Sequence, residues 1–195
     1  MNKHDAIGAV IAATTDEPVI FTTGFTCRIA QNIADRPSHF YMTGSMGLAA
    51  DIGIGVALSS NRTTVVVDGD GSLAMNPGCL LTAGGFPDLR LLHIVLDDGI
   101  YESTGGQDVP TDHVDFCALA QAAGYRSVQH VTNRTTLQRV LPEALRCHGP
   151  TLLHSSITTT GSTTPGPRVT LHLPQVSGRF TQYLRAASIP GGRTA

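Results

Sequence analysis

Two stretches combine carboxylates with glycine where an apolar run stops. In "VVVDGDGSLAMNPG", starting at Val65, a β-branched run passes straight into Asp68, Gly69, Asp70 and Gly71. In "RLLHIVLDDG" a second apolar run ends in Asp97, Asp98 and Gly99, and Asp98 stands 28 positions after Asp70. Glycine lets the backbone turn sharply and present its amide N–H groups. A helix starting near Ser72 would add the positive end of its dipole, so the turn suits an anion such as a phosphate. A carboxylate beside a phosphate repels it unless a cation lies between them. A hard cation with oxygen ligands, most simply Mg²⁺, resolves that conflict. Asp70 therefore asks for a second oxygen ligand, and Asp97 and Asp98 are placed to supply it. The plainer alternative is that Asp68 and Asp70 only form a turn and cap a helix.

The elements that must hold these turns alternate along the chain. A helix over "MNKHDAIGAVIAATT" carries Ile7, Val10 and Ile11 at helical spacing; Asp5 and the thin basic region argue against a signal peptide. Strands are expected in "PVIFTTG", "HFYMTGSMG", "TTVVVDGDG", "RLLHIVLDDG", "YRSVQHV" and "PTLLHSSIT". Helices are expected in "FTCRIAQNIADR", in the small-residue run "LAADIGIGVALSS", in "SLAMNPGCLLTAGG" with Pro77 cutting its first turn, in "DFCALAQAAG", and in "TNRTTLQRVLPEALRC" capped by Thr132 or Asn133. "YESTGGQDVPTDHV" reads as a long polar loop. Alternating helices and near-continuous apolar strands predict an α/β fold, a doubly wound, mainly parallel sheet with helices on both faces. Ligands in such sheets bind beyond the carboxyl ends of the strands, where all four glycine-bearing turns should open.

The 195 residues suffice for one sizeable core. With 41% hydrophobic and 14% charged residues the chain is globular, and a net charge of −2 without a basic block argues against nucleic-acid binding. No run approaches the roughly 18 apolar residues of a membrane span. Cys27, Cys79, Cys117 and Cys147 are far apart and read as reduced thiols of a cytoplasmic protein. Residues 1–157 are expected to form the domain, and 158–195 a partly flexible linker with a short helix over "GRFTQYLR" and a frayed "PGGRTA" end.

The "GDG" at Gly69 to Gly71, followed by "DDG" at Asp97 to Gly99, resembles the thiamine diphosphate signature. "FYMTGSMGLAADIGIGVAL", "DGDGSLAMNPGCL" and "YESTGGQ" resemble the diphosphate-binding (PP) domain of phosphonopyruvate decarboxylases and of the β subunit of sulfopyruvate decarboxylases. The similarity runs from about Asp5 to Ser156. It implies Mg²⁺ held by the Asp70 and Asp98 side chains and the Ile100 carbonyl. It implies diphosphate contacts at Thr23, Gly24, Phe25, Gly71 and Ser72, and further cofactor contacts at Gly69, Ser45 and Tyr101. The Gly44 carbonyl would accept from the cofactor's aminopyrimidine and Met46 would hold its bent shape, both contributing to cofactor activation. Two departures stand out: Asp98 where most relatives carry asparagine, and Leu48 after "GSMG", where histidine is frequent.

The resemblance further implies a thiamine diphosphate-dependent lyase acting on an anionic three-carbon 2-oxo acid, phosphonopyruvate or sulfopyruvate, with release of CO₂ and an aldehyde. It implies a partner subunit with a pyrimidine-binding (PYR-type) domain that supplies the catalytic glutamate, in an α₂β₂ or larger assembly. Arg28, Glu102, Ser103, Thr104 and Gln107 are candidates for substrate contact, and His113 could approach it. His93, inside an apolar strand, reads as a core residue. Two other readings keep the fold: a carboligase or ketol transferase subunit, in which a second carbonyl replaces the proton as acceptor, and a non-catalytic regulatory subunit.

Overall fold

The computed structural model describes residues 1–159 and 164–187; the "PGGRTA" end lies outside the described residues. Six strands pair in parallel: β1 (Val19–Phe21), β2 (His39–Tyr41), β3 (Thr64–Gly69), β4 (Leu91–Asp97), β7 (Ser127–Val131) and β8 (Thr151–Ser156). Their spatial order is β2-β1-β3-β4-β8-β7. A separate hairpin, β5 (Ile100–Tyr101) with β6 (Gln107–Asp108), stands where the sequence suggested only a polar loop. The doubly wound parallel α/β architecture is the one expected.

Successive strand residues face opposite sides, and the core divides accordingly. Val19, Phe21, Val65 and Val67 face α1 (Lys3–Ala13), α2 (Phe25–Ile33) and α7 (Arg134–Arg146). Ile20 and Val66 face α3 (Ala49–Ser60), α4 (Asp70–Met75), α5 (Gly78–Gly84), α6 (Phe116–Ala123) and α8 (Leu173–Ala187). The first helix belongs to this core: Ile7, Val10 and Ile11 are buried between sheet and neighbouring helices, and each such side chain contributes roughly 1.5–3 kcal/mol. Asn2 caps it by accepting from Asp5 N–H at 2.8 Å. Asn133, rather than Thr132, caps α7, accepting from Thr136 N–H at 2.9 Å. The small residues of α3 allow close approach; a Cβ on Gly53 would collide with Val66 of β3.

Two boundaries differ from expectation. "SLAMNPGCLLTAGG" is two helices, because the chain leaves α4 at Asn76 and Pro77 precedes α5; proline lacks the N–H that would continue the ladder. The C-terminal helix is longer than "GRFTQYLR" and docks. Val176 and Phe180 of α8 are buried, the Phe180 ring lies 5.4 Å from that of Phe40, and Arg179 pairs with Asp35 at 2.7 Å.

The winding positions the site. The chain steps from β1 outward to β2, then crosses back to β3 on the other side of β1. The crevice between the carboxyl ends of β1 and β3 is thus a topological switch point, where sheets of this kind bind ligands.

Candidate functional site

One side chain ties the turns of this crevice together. The Ser72 hydroxyl lies 3.0 Å from that of Thr22, after β1, and accepts from Gly47 N–H, after β2, at 3.1 Å. The turns need left-handed backbone: Gly24 has φ +90° and Gly47 φ +96°, while Ser45 adopts φ +57°. Asn76, at the break between α4 and α5, donates to Gly47 O at 3.1 Å and holds the β2 turn from its other side.

The two aspartates of "DGDG" part company. Asp68 is buried on the sheet face, 3.3 Å from His93 Nε2, and Tyr125 OH lies 3.4 Å from His93 Nδ1. His93 is therefore the core residue expected, and Asp68 is its partner. Asp70 points into the crevice, where its Oδ2 accepts from Gly99 N–H at 3.0 Å. Burial pushes the Asp70 carboxyl up to about 7; the negative charges of Asp97 and Asp98 add to this, against hydrogen bonds from Gly71 and Gly99. Of the "DDG" pair, Asp98 lines the same cavity. Asp97 instead lies 2.7 Å from His154 Nε2, which holds its carboxyl below the usual range despite burial.

The cavity draws Thr23 and Phe25 from the β1 turn and Met46 from the β2 turn. Gly69, Asp70, Gly71 and Ser72 come from the β3 turn, and Asp98, Ile100, Tyr101, Glu102 and Ser103 from the segment after β4. Gly24 lines the adjoining cavity with Arg28. Gly44 and Ser45 are exposed and line neither. Thr104 and Gln107 also line neither; they lie at the exposed end of the hairpin, with Thr104 Oγ1 donating to Gln107 Oε1 at 3.1 Å. His113 lines a different cavity, with His130 and His154.

Val109 N–H donates to Gly99 O at 2.8 Å. Bonded and non-bonded pairs alternate in an antiparallel ladder, so Ile100, opposite Asp108, turns its carbonyl away from β6. The Tyr101 ring lies against Gly71 so closely that a Cβ there would collide with it.

Sequence reasoning missed Lys3. Its ammonium enters the cavity from α1, 2.9 Å from Asp98 Oδ2 and 2.8 Å from Glu102 Oε2. Burial would lower the Lys3 pKa, but the two carboxylates outweigh it and raise it. A lone lysine at the start of a helix carries no sequence signal for this. The cavity, with Lys3 and Tyr101 in its lining, measures about 50 Å³. Among the described residues no group of three or more His, Cys, Asp or Glu could hold a metal ion.

A glycine-lined crevice with inward carboxylates, at the switch point of a parallel sheet, defines an α/β protein with its ligand site at the carboxyl ends of the strands. The family model described as "Thiamine pyrophosphate enzyme, C-terminal TPP binding domain" matches residues 22–155. The chain belongs to this family. It is 47% identical over 142 residues to a phosphonopyruvate decarboxylase of Streptomyces viridochromogenes, covering 73% of this chain and 36% of that protein. It is 34% identical over 192 residues to the sulfopyruvate decarboxylase subunit beta of Methanothermobacter thermautotrophicus, covering 96% of this chain and 98% of that subunit. The chain thus spans well under half the length of the phosphonopyruvate decarboxylases it matches, at 36% and 41%. In fold it is similar to a thiamine diphosphate-dependent 4-hydroxybenzoylformate decarboxylase of Rhodococcus jostii, with TM-score 0.65 and 20% identity over 81% of this chain and 33% of that one.

Proposed function

We propose that this chain is the diphosphate- and metal-binding subunit of a split thiamine diphosphate-dependent decarboxylase. Its substrate would be a three-carbon 2-oxo acid with a second anionic group, phosphonopyruvate or sulfopyruvate. The observation that carries the reading is the convergence of Gly69 to Ser72 with Asp98 and Ile100 in one cavity at the switch point. The names of the relatives support the substrate class.

The residues present fit a metal-bound diphosphate. The Lys3 ammonium is a stand-in cation between Asp98 and Glu102, so the site already attracts positive charge. In this reading Asp70 and Asp98 hold Mg²⁺ with the Ile100 carbonyl. The remaining ligands come from the diphosphate and water, which is why no third acidic ligand is needed. Gly71 and Ser72 present the start of α4, Thr23, Gly24 and Phe25 close the β1 side, and Tyr101 covers the diphosphate.

Bound thiamine diphosphate supplies the carbanion chemistry that expels CO₂. The chain's own part is to fix the diphosphate, neutralise it, and keep the aminopyrimidine against the Gly44 carbonyl and Met46. The glutamate that activates the cofactor would come from a PYR-type partner, in an α₂β₂ or larger heteromer. The correspondence with a named subunit beta over nearly its whole length supports this. So do Leu48 and Met75, which are 46% and 56% exposed at the β2 turn; exposed apolar groups of this kind favour association. Four free cysteines fit a cytoplasmic location.

Mixing tests the reading. The purified chain, with saturating thiamine diphosphate and Mg²⁺, should not turn over either acid. CO₂ and aldehyde should appear on adding a PYR-type partner, and disappear when the partner's glutamate becomes glutamine. Robust decarboxylation by this chain alone would refute the split site. A coupled product in place of the aldehyde would make it a carboligase.

A further inference from the structure

Beside the cofactor cavity lies a larger one of about 310 Å³, sharing Thr23 and Ser103 with it. Two guanidinium groups line it, Arg28 and Arg168, together with the hydroxyls of Thr23, Thr43 and Ser103. Among the described residues its lining contains no carboxylate. The nearby acids, Asp98 and Glu102, face the cofactor cavity and are paired with Lys3. Two cations and three hydroxyls without an acid make an environment that favours an anion.

Arg28 is held in position, and the chain brings Arg168 to the same cavity. Arg28 sits in the first turn of α2, at the positive end of the helix dipole. Its guanidinium lies 5.1 Å from the Phe25 ring centroid and donates to Gly166 O. Arg168 belongs to the segment 164–172, which crosses α2 on its way to α8. Gly166 there has φ +78° and seats against Asn32, and Thr170 N–H donates to Gln31 Oε1 at 3.3 Å. Beyond it α8 is anchored by Phe180 and by Arg179 on Asp35. Arg168 is thus brought to the cavity mouth by a segment outside residues 22–155, the part that matches the family model.

We propose that Arg28 and Arg168 form a subsite for a tetrahedral oxyanion, the distal phosphonate or sulfonate of the 2-oxo acid substrate. The proposal rests on the decarboxylase reading and adds where specificity resides: in the C-terminal segment and not in the shared fold. Guanidinium forks match such groups bidentately. The Gly166 contact occupies part of Arg28 and leaves the rest of its fork to the ligand, while Arg168 is exposed and carries no structural bond that its removal would break.

The test is Arg168→Met in the enzyme assembled with its PYR-type partner, assayed with phosphonopyruvate, sulfopyruvate and pyruvate in parallel. The ratio of kcat/KM for an anionic substrate to that for pyruvate should fall about 10- to 100-fold, the scale of a lost charge-assisted hydrogen bond or two. Arg168→Lys should lose less, and Arg139→Met, on the exposed face of α7, should not move the ratio. Calorimetry should give the parent's affinity for thiamine diphosphate. An unchanged ratio, or an equal fall with pyruvate, overturns the subsite. Weakened cofactor binding with an unchanged ratio would show that the arginines serve the cofactor's own phosphates, and also overturns it. If none of the three acids turns over, the decarboxylase reading fails, and titration of the chain with methylphosphonate, followed by phosphorus NMR, decides the subsite. Binding lost in Arg168→Met upholds it; binding equal in parent and variant, or absent from the parent, overturns it.

Discussion

The Lys3 ammonium bridges the Asp98 and Glu102 carboxylates, at 2.9 and 2.8 Å, although Lys3 and Glu102 are 99 positions apart in the chain. The Asp98 side chain is only 4% exposed and that of Lys3 13%. An internal cation thus stabilises a carboxylate that the cofactor-free site would otherwise bury unpaired.

Breaking such a pair leaves an uncompensated charge, at a cost of about 3 kcal/mol. Lys3→Met should therefore unfold at lower denaturant concentration without metal, and bind Mg²⁺ with thiamine diphosphate more tightly than the parent. Lys3→Met combined with Asp98→Asn should recover most of the lost stability, because the orphaned charge is gone. Asp98→Asn alone should be tolerated for cofactor binding. Denaturation curves and Mg²⁺ titrations check all four chains; a single Lys3→Met variant as stable as the parent contradicts this account.

Asp70 makes the cofactor-free chain sensitive to pH. Its folded pKa of about 7 lies above the ordinary aspartate value of 3.8, so the folded state binds the proton more tightly than the unfolded one. That contribution to stability is fully present below about pH 4 and is lost as pH rises to about 7, at up to about 1.4 kcal/mol per pH unit. Asp97, with its lowered pKa, acts in the opposite sense, its contribution being lost on acidification. The comparison of parent with Asp70→Asn isolates the first effect: the stability difference between the two chains should change steadily over pH 4–7 and level off above it. The same ionisation should strengthen Mg²⁺ binding over that range. A difference independent of pH would place Asp70 in an ordinary carboxylate environment.

Much of this was legible in the sequence, for identifiable reasons. Val65 to Val67 and Leu91 to Leu96 are buried on both sheet faces, so their apolar runs betray parallel strands. Glycines beside Asp70 and Asp98 mark turns because few other residues turn so sharply. Lys3 and Arg168 were not legible, because each reaches its cavity through tertiary packing, α1 against the sheet and 164–172 across α2. The family resemblance picked Asp98 over Asp97, whereas the residues by themselves left both open, since the choice depends on which of them His154 takes. The early start of α8 at Leu173 follows from Val176 and Phe180, whose spacing of one helical turn acquires meaning only once Phe40 is seen opposite.

Met46 is half-buried in the cavity while its neighbours Gly44 and Ser45 are exposed. Met46→Ala should leave cofactor affinity within a few-fold of the parent and slow proton–deuterium exchange at the thiazolium carbon of the assembled enzyme by an order of magnitude or more, as about 1.4 kcal/mol of barrier corresponds to tenfold. An unchanged exchange rate would assign Met46 to packing alone.

The central claim is that the crevice between β1 and β3 holds a metal-bound diphosphate, with Asp70 as an indispensable ligand. Calorimetric titration of thiamine diphosphate with Mg²⁺ into the assembled enzyme, parent and Asp70→Ala, tests it most directly. The parent should bind only when Mg²⁺ is present, and Asp70→Ala should show no Mg²⁺-dependent binding. Undiminished affinity in a folded Asp70→Ala enzyme would contradict the account.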